Sequence, residues 1–400
     1  MPDAPRRWGR RQLLQTGAVA LGGAGVGWTA ATVVQPTADA SPPASAGVGV
    51  PPGNQTVPFH GLHQAGVTTP PQAHLSLLGI DLSPATGTEA VGRLMSLISD
   101  DAARLTRAAP ALADTEPELA AHPARLTVTF GFGPRLLPDH VAPLPAFSTD
   151  ALEPAWGQTD LAVQVCSDDP LAVAHARRMI SKDLAGFGRV RWIQDGFRYA
   201  RGTVPDGTST RNVLGQVDGT ANPQETDADF DGLIWSDRPG FEGGTVMVVR
   251  RIRARMAAWD RVDRSGREAV IGRRLDNGAP LTGNAEHDQP DFAAKDPLGF
   301  PVIDPASHVA RAHSRDSRER FLRRPYNYTV PDPTQPTGED SGLVFIAFAA
   351  DVDRQFVPVQ RRLAELDRLN QWVTTIGSAV YAVPPGAAEG KYVGQRLLGS

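Results

Sequence analysis

One succession of strand-like and helix-like segments occurs twice in this chain, and that repetition limits the fold more than any other feature. In the first half, residues 73–82 read as a strand. Residues 88–107 carry Val91, Leu94, Leu97, Ile98 and Leu105 at helical spacing. Residues 126–132 and 160–166 have the β-branched, alternating look of strands. Asp169-Pro170 supplies an N-cap followed by proline at the first helical position, which opens a helix to about residue 179. Residues 189–195 complete the set as a strand.

The second half follows the same order. Residues 243–252 are a valine-rich strand, and 255–275 are helix-like with a break near Ser265-Gly266. Residues 326–330 and 343–351 are strand-like. Residues 354–372 are a helix with Phe356, Val359, Leu363, Leu366 and Leu369 on or near one face, and 379–383 are a last strand stopped by Pro384-Pro385-Gly386. The order β-α-β-β-α-β is the ferredoxin-like arrangement. The expected fold class is therefore α+β, with two tandem ferredoxin-like domains at 57–205 and 206–400. Between a helix and a strand of the second half lies an insert at 276–324 that holds His287, His308 and His313. An insert that long is usually functional or disordered.

The N-terminal residues read as an address. Arg6-Arg7 and Arg10-Arg11 precede Leu13-Leu14 and a weakly apolar, Gly/Ala-rich run, and Ala38-Asp39-Ala40 offers a small-x-small cleavage site. The expectation is a twin-arginine signal peptide at 1–40, export by that machinery, and a flexible leader at 41–56. The twin-arginine route carries folded proteins, often with a cofactor inserted. An extracellular, periplasmic or envelope-associated location follows.

Composition removes several function classes. The charge is −4 with no long basic run, so binding driven by phosphate neutralisation is not expected and nucleic acid is excluded as a partner. Cys166 is the only cysteine, which excludes an internal disulfide framework and Cys-ligated zinc or iron–sulfur sites. Protein ligands to any metal must be nitrogen or oxygen, and nine histidines are available.

Several residues stand out chemically. Asp218 lies between Gly215 and Gly219 in a turn-forming stretch that runs on to Asn222-Pro223. It is either a self-capping turn acid or an acid held at a cavity wall. His308 lies in Ser-His-Val-Ala-Arg-Ala-His, with His313 five residues on, a spacing that does not put both on one helix face. Arg323-Arg324 opens a strand, and an arginine fixed near a cavity can stabilise a developing anion. His60 and His63 are three apart but have no convincing third ligand nearby. Glu286-His287-Asp288 resembles only half of a 2-His-1-carboxylate site. No Gly-x-Ser-x-Gly elbow is present, so a Ser-His-Asp hydrolase is not supported.

Together and in this order, the Gly-x-x-Asp-Gly loop at 215–219, His308 and Arg323-Arg324 resemble the dye-decolorising peroxidase family. Val57-Pro58-Phe59-His60-Gly61 through Thr69-Pro70, the Leu126–Pro134 segment, Gly244-Thr245, Gly278-Ala279-Pro280-Leu281 and Ile376-Gly377-Ser378-Ala379 also look familiar from it. The export signal resembles that of the A-type branch, near the haem peroxidases linked to iron uptake. The resemblance covers roughly residues 57–386.

It implies a dimeric α+β barrel built from the two halves, with haem b in the second. His308 would be the axial ligand to haem iron. Asp218 and Arg323 would be the catalytic acid–base group and oxyanion stabiliser, and Gly219, Asn222 and Arg311 would contact the haem or its edge. Asp351 or Asp367 would accept from the second nitrogen of His308. Implied partners are hydrogen peroxide and a reducing substrate such as a dye or phenol, with iron-uptake proteins and a second copy of the chain as further candidates. Trp235, Trp259, Trp372 and Tyr326 are available as electron relays. The alternative is an exported haem- or porphyrin-handling protein, a carrier or deferrochelatase, with incidental peroxidase activity. Two departures from the family pattern bear on the shape of the distal side: Gln216-Val217 replaces the more usual Phe and basic residue, and Ser314 stands where proline is common.

Overall fold

The computed structural model describes residues 50–399; the predicted signal peptide and residues 41–49 of the predicted leader lie outside the described residues. The rest of that leader is held in place. Pro52–Asn54 form a single 3-10 turn, and Gly53 and Gln55 accept backbone hydrogen bonds from Ala124 (2.9 Å) and Arg125 (2.7 Å).

The first half contains β1 (His74–Leu82), α1 (Thr88–Leu105), β2 (Thr127–Phe132), β3 (Leu161–Ser167), α2 (Pro170–Asp183) and β4 (Gly188–Phe197). The Asp169 carboxylate caps α2 by accepting from the Leu171 N–H, with Pro170 at the first helical position. The second half contains the short strands β5 (Thr210–Arg211) and β6 (Val217–Asp218), then α3 (Phe230–Ile234), β7 (Thr245–Ala254), α4 (Met256–Trp259), α5 (Arg264–Ile271) and α6 (His308–Ala312). It closes with β8 (Leu322–Arg323), β9 (Tyr326–Pro331), β10 (Glu339–Ala349), α7 (Val352–Leu366) and β11 (Val373–Val383).

Every pairing between these strands is antiparallel. The first half forms the four-stranded sheet β2-β3-β1-β4, and the second forms β9-β10-β7-β11. The two sheets meet at Ala382↔Phe132 and at Phe197↔Asn327, so eight strands close into one barrel without free edges. Inside it pack Leu75, Leu77, Met247, Tyr326, Tyr328 and Tyr381. Outside, α1 and α2 cover the first sheet with Leu94, Ile98, Met179 and Ile180, and Phe356 of α7 joins the same core. Strands β2 and β3 are buried on both faces, and the polar Thr127, Thr129, Gln164 and Ser167 among them are paired by hydrogen bonds. Each large apolar side chain so buried contributes about 1.5–3 kcal/mol.

Two expected helices differ from the fold. The segment predicted as one helix over 255–275 is two, α4 and α5. The chain breaks at 260–263, before Ser265-Gly266, because the Asp263 carboxylate accepts from the Gly266 N–H (2.7 Å) and starts α5 afresh. The helix predicted to reach 372 stops at Leu366. Asp367 leaves helical geometry (ψ 121°) and caps a separate 3-10 turn, Arg368–Gln371.

Candidate active site

The second half encloses a cavity of about 680 Å³ against the outer face of its sheet. Its walls come from the 212–224 loop, the 286–290 part of the insert, α6, the strands β7 and β10, and α7. Apolar side chains such as Leu214, Ile252, Leu343, Phe345, Phe356 and Leu363 supply much of the surface. The size and character are those of a site for a cofactor or small molecule.

His308 begins α6 and reaches this cavity. Its Nδ1 lies 2.6 Å from Oδ2 of Asp367. A carboxylate only accepts, so Nδ1 carries the proton and the Nε2 lone pair is left for a ligand. The kink that ends α7 is what brings Asp367 here. Burial alone would push the His308 pKa down. The charge of Asp367 and its hydrogen bond outweigh that, and the net direction is upward. Of the two candidate supports, Asp367 is therefore the one that meets His308. Asp351 caps α7 instead, accepting from the Arg354 N–H at 3.1 Å.

Asp218 sits on β6 and Arg323 on β8, and both line the same cavity as His308. Arg323 Nη1 is 3.5 Å from Asp218 Oδ1. The charges of both residues act on His308. Gly219 has φ +120°, a conformation that turns the chain sharply after Asp218 and that an L side chain rarely adopts. Arg324, next in sequence, faces the other way and is fully buried, donating to the Thr69 carbonyl and the Gln72 side chain. Alternation along a strand thus gives the arginine pair two separate jobs.

Asn222 and Arg311, the two residues expected at a haem edge, are both held by protein partners. Asn222 lines the cavity, but its amide is committed to Arg323. Its Nδ2 donates to the Arg323 carbonyl (2.7 Å), and its Oδ1 accepts from Arg323 N (3.1 Å) and Nε (3.3 Å). Arg311 is turned away from the cavity, donating to the Arg362 carbonyl (3.0 Å) and to Glu365 (3.0 Å). His313 ends α6 at the cavity rim beside the Phe292 ring.

The remaining motifs resolve plainly. His63 stacks on Trp235 at 3.6 Å, and its Nδ1 meets the Gly243 carbonyl (2.8 Å). Trp259 and Tyr326 are fully buried; Trp259 donates to the Leu214 carbonyl and meets Trp372 edge-on. Glu286 ties the insert to the Asp218 loop, accepting from Thr220 Oγ1 (2.8 Å) and Ser209 Oγ (2.5 Å). Sequence reasoning missed that tie and the Asn222 clamp. Both join residues far apart in the chain, and no local spacing announces them.

A closed α+β barrel of two fused halves, with a supported histidine and an acid–arginine pair on one cavity, defines the class. The comparisons give the family. Residues 64–198 match the N-terminal model of the Dyp-type peroxidases and residues 209–388 match the C-terminal one, and the chain belongs to this family. It is 36% identical to the dye-decolorizing peroxidase of Thermobifida fusca (strain YX), over 99% of each chain. It is 32% identical to the deferrochelatase of Escherichia coli (strain K12), over 86% of this chain and 88% of that one. Among solved structures, the DyP-type peroxidase from Cellulomonas bogoriensis superposes with a TM-score of 0.83. That pair is 49% identical over 88% of this chain and 100% of the other. Ferric DtpA from Streptomyces lividans gives a TM-score of 0.82 at 39% identity, over 87% of this chain and 98% of that one.

Proposed function

We propose that this chain is a haem b peroxidase that reduces hydrogen peroxide and oxidises dyes, phenols or other reducing substrates at the His308–Asp218–Arg323 site. The observation that carries the reading is the convergence of an Asp367-supported imidazole and the Asp218–Arg323 pair on one apolar-walled cavity. The donor set suits haem. The unused Nε2 of His308 is a nitrogen ligand of the kind haem iron takes, and the Asp367 carboxylate on Nδ1 raises its basicity. When bound, haem supplies an iron that takes peroxide and draws two electrons from reductants.

The chain's own groups handle proton and charge. Asp218 accepts a proton from the inner peroxide oxygen and returns it to the outer one. The Arg323 guanidinium steadies the negative charge that builds on the departing oxygen. Asn222 fixes where that guanidinium points, and the apolar walls keep bulk water away.

The test is the absorption spectrum of purified wild type and His308→Ala, before and after stoichiometric peroxide. A Soret band that shifts in wild type and is lost or altered in the variant is expected. An identical band in both would remove His308 from the ligand role and turn attention to His313.

The deferrochelatase relatives favour a second reading, haem handling with iron release. Turnover that collapses in Asp218→Asn supports the peroxidase; haem handling unchanged by that substitution supports the carrier. The arginine pairs ahead of Leu13-Leu14 support export by the twin-arginine machinery, with cleavage after Ala40. The N-terminal sequence of the exported protein tests this.

A further inference from the structure

We propose that the end of the barrel between Arg198 and Arg324 binds a small monovalent anion of halide size.

Neither arginine lines the main cavity. Arg324 lies two residues before β9 and is only 1% exposed. Its Nη1 and Nη2 donate to the Thr69 carbonyl and to Gln72 Oε1, which hold the group without cancelling its charge. Its Nε is buried with no acceptor. Arg198 follows β4, its backbone fixed by a hydrogen bond from its N–H to the Ala73 carbonyl (2.8 Å). Its guanidinium carbon lies 5.9 Å from the centre of the Tyr326 ring. Gly196 lets Tyr326 pack across β4, since a Cβ there would sit 2.7 Å from the Tyr326 Cβ. The Tyr326 hydroxyl then donates to Cys166 Sγ on β3 (3.5 Å), and the charges of both arginines reach that thiol. Arg198 is half-buried, which leaves a way in from solvent on its side.

No acid balances the two cations. Neither has a carboxylate within ion-pair distance among the described residues, and the Arg198 guanidinium has no hydrogen-bond acceptor among them. Asp218 acts on Arg198 from a distance but is already paired with Arg323 (3.5 Å). Burial, the largest influence, lowers the Arg198 pKa; Tyr326 opposes that, and the Arg324 charge adds to it. The neighbours cannot supply the missing charge. Burial raises the pKa of both the Cys166 thiol and the Tyr326 phenol, so both stay protonated. Two desolvated like charges without a counter-charge are costly unless an anion arrives. The donors left over select its kind. Both terminal nitrogens of Arg324 are engaged, so it offers no free fork for a bidentate carboxylate. A single Nε–H, the Arg198 guanidinium and the buried apolar surface of Leu75 and Tyr326 suit a monatomic, weakly hydrated ion such as chloride or bromide.

The test uses the whole protein and sodium bromide as the probe, with sodium gluconate holding ionic strength constant, in wild type, Arg198→Gln and Arg198→Lys. The wild-type Tm should rise by roughly 2–5 °C at about ten times the bromide Kd. The Arg198→Gln curve should stay flat. In gluconate alone this variant should be at least as stable as wild type, because a repulsion is gone. Arg198→Lys keeps the charge and should keep part of the response. Crystals grown in bromide should show an anomalous-scattering peak between the two guanidinium groups in wild type and none in Arg198→Gln. Equal Tm responses in wild type and Arg198→Gln, or no peak at that place, overturn the site. A peak without a Tm response marks an adventitious ion only and overturns it as well. If Arg198→Gln does not fold, a wild-type response that Arg198→Lys weakens supports the site, and one that it leaves unchanged overturns it.

Discussion

At the scale of single residues, the site turns on what Asn222 does to Arg323. One amide grips the arginine at its backbone N–H, its carbonyl and its Nε, which leaves Nη1 directed to Asp218. Hydrogen bonds to charged groups contribute about 1.5–3 kcal/mol, so Asn222→Ala should slow the reaction with peroxide by roughly ten- to a hundredfold. The Soret band of the resting protein should stay as it is, because His308 is untouched. Stopped-flow mixing with peroxide reads the rate, and an unchanged rate would show that Arg323 orients itself without the clamp. Asp218 leads to a second expectation. A carboxylate base still works in acid, where an imidazole base is protonated, so wild-type dye oxidation should be faster near pH ~4 than near pH ~7. A pH–rate profile with a neutral or alkaline optimum would count against Asp218 as the base. Asp218, Arg323 and His308 could be picked out in the sequence because each sits in a short motif. The use of Asn222, and the turning away of Arg311, depend on contacts made across the fold and left no such trace.

At the scale of elements, α1 and α2 carry a buried acid pair that no function yet uses. Asp183, at the end of α2, faces Asp101 of α1, and both are buried. Burial, then the Asp101 charge and a hydrogen bond with Asp101, push the Asp183 pKa up to about 7, against a smaller opposing effect of Lys182. Asp101 also accepts from the Leu112 N–H at 2.7 Å. The folded protein thus holds a proton that the unfolded chain releases near pH ~4. Its stabilising effect is complete below that pH and is lost as pH rises toward 7. Asp183→Asn keeps a neutral partner for Asp101 and removes the titration. The wild-type Tm should fall between pH 5 and pH 8 by more than that of the variant, at roughly 2–4 °C per kcal/mol. Parallel Tm values would mean that the pair shares no proton. The helices themselves were legible, because an apolar face repeats every three to four residues and Asp169-Pro170 marks a start. Their ends were not, where a single capping carboxylate decides. Asp263 and Asp367 each end or restart a helix by accepting a nearby backbone N–H, and nothing in the apolar periodicity registers that.

At the scale of the whole molecule, two sheets become one barrel through very short seams. Strands β11 and β2 share a single residue pair, Ala382↔Phe132. What the ladder does not supply there, side chains from the 150–159 segment do. Gln158 donates to the Val380 carbonyl (3.0 Å) and accepts from the Val380 N–H (2.8 Å), standing in for a missing strand neighbour. Asp150 pairs with Arg250 (2.5 Å), Glu153 pairs with Arg253 (3.1 Å), and Thr159 Oγ1 meets the Tyr381 hydroxyl (2.7 Å). The repeated element order pointed to two like halves, but the seam residues lie in a loop with no periodicity to read. Cutting one stitch should therefore be felt by the whole barrel. Gln158→Leu strands a buried backbone N–H and C=O and should cost about 1–3 kcal/mol per unsatisfied group. Calorimetry should show a single transition in wild type and a single, lower one in the variant, because neither sheet keeps its core when the seam opens. Two separate transitions would mean that the halves hold together independently. Since Val373 and Thr375 of β11 also line the cavity, a loosened seam should weaken haem retention in the same variant, although Gln158 itself lies outside the cavity lining.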